Sequence, residues 1–286
     1  MLRARFLASL LATGVAPWVR GEPAPLGFIY PSVNGLGEAG FGFRALALAL
    51  QKWGHPFELK LQKGPTNIPR SLRALERGDV GVMDLGTSAA FEQQFQPIHL
   101  PIDRGLSGWR LLVVRADAQT RFAAVQSLAD LAALKAGQGA NWPDATLLRG
   151  AGLPVVTADS LELLFRLLQA GRFDYLPLGL NEAHGFLQQY QPLAPDAVIE
   201  PHLALVYPFA RLFFVRRVDE VRRAAIAEGL GRAFEDGSFQ ALFASDPVTQ
   251  GALARARLAE RHVMQIANPD LSEATRAIPA RYFIRP

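Results

Sequence analysis

The chain has 286 residues, 50% of them apolar and 20% charged, with no cysteine. That balance suits one large or two medium domains and excludes a disordered chain, a collagen-like repeat and a disulfide scaffold. A formal charge of +4 and a pI near 9.7 raise nucleic-acid or membrane-surface binding as a class.

The first residues speak to that charge. Arg3 and Arg5 precede an uncharged run from Phe6 to Val19. The run is shorter than the about 20 residues a bilayer core needs. A basic start, a short apolar stretch and a small residue at the end predict a cleavable signal over residues 1–21, with Glu22 first in the mature chain. An uncleaved anchor is the alternative. The periplasm is the expected location. Without Arg3, Arg5 and Arg20 the chain holds 27 basic against 26 acidic residues, close to neutral. Only Lys52, Lys60, Lys63 and Lys135 are lysines, and Glu260 interrupts the basic run Arg255, Arg257, Arg261. No dense basic face is in view, so no nucleic-acid partner is expected.

Further along, Leu26 to Tyr30 reads as a buried strand. An apolar stripe from Glu38 to Trp53 reads as a helix, and Phe57 to Leu61 alternates as a strand. Thr66 or Asn67 can cap a helix ending at Gly78. Asp79 to Met83 is a predicted strand, with Thr87 capping the next helix. Trp109 to Arg115 is a strong strand, and Ser127 caps Leu128 to Leu134. Leu153 to Thr157 and Phe173 to Pro177 are strands around a helix that Asp159 or Ser160 caps and Gly171 ends. Asn181 to Tyr190 is helical, Leu203 to Val206 and Leu212 to Val215 are strands, and helices run on to Arg261 with breaks near Gly237, Pro247 and Gly251. The tail with Pro269, Pro279 and Pro286 is expected to be irregular. Alternating strands and helices give an α/β fold, and the mature length favours two lobes.

The order of four stretches resembles the periplasmic solute-binding proteins of bacterial uptake systems, in the two-lobed, family 3-like class that includes the amino-acid binders. They are Gly78-Asp79-Val80 through Pro101-Ile102; Ser127 to Leu131 with Gly137 to Gly139; Asp159 through Gly171-Arg-Phe-Asp174; and Leu205 to Val215. Gly137 to Asp144, Gly171 to Tyr175 and Pro101 to Leu106 are similar to a subgroup labelled only as transporter-like substrate-binding domains. The resemblance implies the periplasmic-binding-protein type II fold: two mixed sheets flanked by helices and joined by two hinge strands. It implies lobe one at 22–112 plus 207–286 and lobe two at 113–206. It also implies a small-molecule solute, no cofactor, an inner-membrane permease or sensor as partner, and a monomer.

Ligands of open α/β sheets sit at the carboxyl ends of strands, here the loops after residues 30, 83, 138 and 177. Gly139 permits close backbone approach, Asn141 can hydrogen-bond, and Trp142 can stack on a ligand or pack in the core. Pro143 then opens a helix whose N-terminus attracts an anion. Tyr30 and Asp84 end predicted strands, and Asp84 can meet a ligand cation or cap a helix. The amino-acid binders carry an arginine after this strand and an aspartate on lobe two. Here Leu85 to Ala90 holds no arginine, and Gly179 takes the aspartate's place. Arg104 and Arg110 can supply a carboxylate fork or bridge the hinge, and Glu182 can pair with a cationic group. The expected solute is small, polar and carboxylate-bearing.

The alternative is an exported lyase, cyclohexadienyl-dehydratase-like, with His184 and Glu182 as acid and base. The five histidines show no metal spacing, and neither Gly-x-Ser-x-Gly nor His-Glu-x-x-His occurs. A non-catalytic binder is therefore the leading expectation.

Overall fold

A computed structural model describes residues 24–33 and 37–284. The predicted signal over 1–21 lies outside the described residues. The chain alternates β1 (Leu26–Tyr30), α1 (Phe41–Trp53), β2 (Phe57–Leu61), α2 (Ile68–Arg77), β3 (Met83–Gly86), α3 (Ala89–Gln94), β4 (Phe95–Ile98) and β5 (Trp109–Arg115). It continues through α4 (Gln119–Ala123), α5 (Leu128–Leu131), β6 (Ala136–Gly139), α6 (Pro143–Gly150), β7 (Val155–Ala158), α7 (Leu161–Gln169), β8 (Tyr175–Gly179) and α8 (Ala183–Tyr190). Then come β9 (Ala197–Val206), β10 (Arg211–Arg216), α9 (Glu220–Glu235), α10 (Ser238–Ser245), α11 (Pro247–Ala256), β11 (His262–Gln265) and α12 (Glu273–Arg276).

The sheets divide these strands. On one side β1 pairs in parallel with β2, and β10 lies antiparallel between β3 and β4. The Gly81 N–H donates to the Ile29 carbonyl and ties the two groups together. On the other side a mixed six-stranded sheet runs β11-β9-β5-β8-β6-β7. The chain passes between the sides after β4, again between β9 and β10, and once more on the way to β11.

Burial follows from the patterns. In β5, Leu112 and Val114 face one apolar cluster while Leu111 and Val113 face another, so the strand is covered on both faces. α1 buries Ala45, Leu46, Ala49 and Leu50 against Ala225, Ile226 and Leu230 of α9. Ser160 caps α7 by accepting from the Leu163 N–H.

Three local expectations are corrected. The third strand forms at Met83–Gly86, not Asp79 to Met83, because the N–H groups of Asp79 and Val80 close the end of α2 on the Ala74 carbonyl. Ser88 rather than Thr87 caps α3, leaving the Thr87 hydroxyl to donate to Glu92. The tail is not wholly irregular, since β11 pairs in parallel with β9 and α12 follows it. A strand within 207–286 thus completes the six-stranded sheet, on the side opposite β10.

Candidate functional site

The four strand-end loops singled out in the sequence meet at one cleft of about 400 Å³. Pro31 and Val33 follow β1, Asp84 to Gly86 belong to β3, Asn141 to Asp144 follow β6, and Asn181 and Glu182 follow β8. One wall carries Tyr30, Arg44, Asp84 and Arg211, and the facing wall Trp142, Asp144, Glu182 and Phe186. Phe41, Phe91, Phe209 and Phe243 add further aromatic surface. Such a concave, partly aromatic site with a few fixed polar groups suits a small molecule.

Of the sequence candidates, Tyr30, Asp84, Arg110, Asn141, Trp142 and Glu182 line this cleft. Arg104 does not. Its backbone takes the left-handed conformation (φ 51°) and its guanidinium lies 5.6 Å over the Phe243 ring, with burial lowering its pKa. Gly139 does not line the cleft either. A Cβ there would lie 2.5 Å from the Trp142 indole, so the open space beside this glycine serves Trp142.

Arg110 is committed. It pairs with Asp144 at 2.5 Å, and both side chains are almost wholly buried. The Tyr207 hydroxyl donates to the same carboxylate, and Arg110 lies over the Tyr207 and Phe209 rings at 5.3 and 5.1 Å. Burial alone would favour deprotonated Arg110, but Asp144, Tyr207 and Glu182 overcome it and raise its pKa. Burial drives the Tyr207 hydroxyl pKa well above its ordinary value against the pull of Arg110, and Asp144 adds to the rise. Asp144 stands in the first turn of α6, where it fills the positive end of the helix. An acid of the chain thus already stands in the first turn at that N-terminus, its carboxylate engaged by Arg110 and Tyr207.

Sequence reasoning missed Arg211, Arg44, Asp144 and Asp246. Arg211 donates through Nε to Asp84, whose other oxygen accepts from Tyr30, and reaches Glu182 at 3.3 Å on the facing wall. Arg44 pairs with Asp246, the N-cap of α11. A charged residue opening the apolar run Leu212–Val215 was the available signal for Arg211. The acid-base pair of the lyase alternative is not assembled. Glu182 lines the cleft and pairs with Arg211, whereas His184 does not line it, its pKa lowered by burial and by Arg255 and Arg261. Among the described residues no group of three or more His, Cys, Asp or Glu could hold a metal ion, and no helix is long and apolar enough to cross a membrane.

No family model matches the sequence, and no curated protein matches it. Solved structures do. A histidine kinase sensor domain with similarity to periplasmic binding proteins superposes with a TM-score of 0.58 at 18% identity, covering 78% of this chain and 96% of that one. An amino-acid ABC transporter substrate-binding protein from Streptococcus pneumoniae, bound to L-arginine, gives 0.58 at 15% identity over 80% and 95%. The GluR0 ligand-binding core from Nostoc punctiforme, in complex with L-glutamate, gives 0.55 at 18% identity over 78% and 100%. The chain therefore has the two-lobed α/β fold of the type II periplasmic solute-binding proteins.

Proposed function

We propose that this protein is an exported, non-catalytic solute-binding protein that captures a small polar molecule between its lobes. The observation that carries this reading is the cleft itself. Two walls hung on different sheets enclose it, and the ion pair of Arg211 with Glu182 spans them. A solute touching both walls favours closure, and closure is the signal a membrane partner reads.

The lobes are proposed as 22–112 plus 207–286 and 113–206, with β11 crossing back to the second sheet. Export rests on the leader over 1–21, which places the protein in the periplasm. The partner is an inner-membrane permease or a sensor, and the working form is a monomer. The solute is expected to carry a carboxylate; of the arginines considered for it, Arg110 lines the cleft paired with Asp144, and Arg104 is outside the cleft lining.

A thermal-shift screen of small metabolites on the purified mature chain tests the reading. A solute at 100 times its dissociation constant adds about 2.7 kcal/mol to stability. Absence of any shift across cationic, anionic, zwitterionic and neutral solutes would overturn it.

A further inference from the structure

Resting on that reading, we infer that Ser107, on the crossover from β4 to β5, donates its hydroxyl to the carboxylate of the solute. Ser107 lines the cleft and keeps only 3% of its surface exposed. Its Oγ is buried and has no hydrogen-bond partner among the described residues. A hydroxyl carries one donor and two acceptor sites, and leaving them all empty in a buried place is unfavourable. Ser107 is thus short of a partner that the chain does not supply. A carboxylate only accepts, so towards it the hydroxyl is the donor.

The backbone around Ser107 is fixed, so the hydroxyl is in place before a solute arrives. Buried Asp103 accepts from the N–H groups of Gly105 and Ser107 on this crossover and of Arg211 at the start of β10. One residue on, the Gly108 carbonyl accepts from the Tyr207 N–H, and a Cβ at Gly108 would lie 2.5 Å from the Tyr207 carbonyl oxygen. The two crossovers between the sheets therefore pack backbone against backbone at this point. A group held in place beforehand loses little freedom on binding. A solute on Ser107 touches the junction of the lobes as well as their walls.

Charge along the same stretch suits an anion. Arg110 follows three residues on, lines the same cleft and also keeps a buried Nε–H without a partner among the described residues. Asp144 engages it through a different nitrogen, Nη2. Asp103, the acid nearest in sequence, spends both oxygens on the backbone N–H groups already named.

The test titrates the purified mature protein calorimetrically with succinate, benzoate and L-glutamate, and with putrescine and ribose as probes without a carboxylate. Saturable binding of at least one carboxylate is expected, and a carboxylate found only in the wider metabolite screen takes the place of these three. Ser107→Ala should weaken it roughly tenfold or more, the scale of a hydrogen bond to a charged group. The ligand-free variant should unfold at the same urea midpoint or a higher one, because the hydroxyl it loses has no partner to give up. Unchanged affinity overturns the inference, whatever the midpoint. Ser107→Cys supplies an independent measurement, since the chain has no other cysteine. Iodoacetamide should alkylate the introduced thiol in the free, folded protein, and a saturating concentration of the bound carboxylate should protect it. A thiol that does not react in the free protein, or reacts equally fast with solute bound, overturns the contact. Binding of putrescine or ribose with no carboxylate bound overturns the inference and leaves the binding function standing. Silence of every probe, followed by silence of the wider screen, removes the binding function and this inference with it.

Discussion

Arg211 joins the two walls of the cleft, holding Asp84 on its own side and reaching 3.3 Å across to Glu182. The two contacts differ in weight. Asp84 is buried and also accepts from the Tyr30 hydroxyl, whereas Glu182 keeps about a quarter of its side chain exposed. Removing the guanidinium leaves a buried carboxylate short of its charged donor. Arg211→Ala should therefore cost about 1–3 kcal/mol in urea unfolding. Glu182→Gln touches only the partly solvated pair and should cost less than about 1 kcal/mol. Equal losses in the two variants would contradict this ranking. Small-angle scattering of the ligand-free protein should show a larger radius of gyration for Arg211→Ala, because the side-chain bridge between the walls is gone.

The pair Arg110–Asp144 carries a larger penalty. Both side chains are 5% exposed or less, so neither charge has water to fall back on. Deleting one partner of a buried pair typically costs about 3–5 kcal/mol, much of it from the charge left behind. Asp144→Ala should fall in that range. Replacing both residues, as Arg110→Met with Asp144→Ala, should recover part of the loss, since no unpaired charge remains. A double-mutant cycle measured by denaturant unfolding checks the sign of that coupling. Strictly additive losses would show that the two charges do not depend on each other.

These pairs also show where sequence stops being informative. The strand Leu111–Val114, the Ser160 cap and the four strand-end loops were all legible, because each is a local pattern of polarity or capping chemistry. Arg110 was legible as a candidate, but its partner was not. Asp144 reads locally as an ordinary first-turn acid, and only the pairing of β5 with β8 and β9 brings Arg110 to it. The short strand β11 was missed for a related reason. His262–Gln265 is an edge strand with one buried residue, Met264, and it is fixed by β9 rather than by its own composition. Gly139 was read as a place for a ligand because glycine signals close approach, and what approaches is Trp142.

Away from the cleft, Glu92 sets a pH dependence. Its carboxylate accepts from the hydroxyls of Thr87, Ser272 and Thr275 at 2.6, 2.6 and 2.7 Å, and His99 lies 3.3 Å away. Burial pushes its pKa up, but His99, Ser272, Thr87 and Thr275 outweigh burial and hold it at about 2, below the ordinary 4.5. A depressed folded-state pKa contributes stability that is full above the unfolded value and is lost as pH falls from about 4.5 towards 2. Glu92→Gln should therefore lower the urea midpoint clearly at pH 6 and much less at pH 2. Parallel losses at both pH values would refute the assignment. Because Ser272 caps α12 and Thr275 lies within it, the same variant should loosen the C-terminal segment, seen as faster amide exchange there at pH 6.

Gly139 offers a test of how the Trp142 wall is built. The indole lies so close over this residue that a Cβ would sit 2.5–2.7 Å from three of its ring carbons. β6 is paired on both sides, by β7 and β8, so the backbone has little room to yield. The ring must move instead, while the Trp142 backbone stays tied, its N–H donating to the Gly139 carbonyl and its carbonyl accepting from the Ala145 N–H at the start of α6. Overpacking of this kind costs about 1–3 kcal/mol. Gly139→Ala should therefore destabilise the protein by that amount and shift the Trp142 emission to longer wavelength as the ring turns outward. Trp53 and Trp109, the other tryptophans of the mature chain, replaced by Phe would isolate that signal. Trp142→Leu supplies the complementary measurement. It relieves the crowding in a Gly139→Ala background, so the double variant should lose less stability than the sum of the singles, and a fully additive result would mean that the indole and the glycine are not in contact.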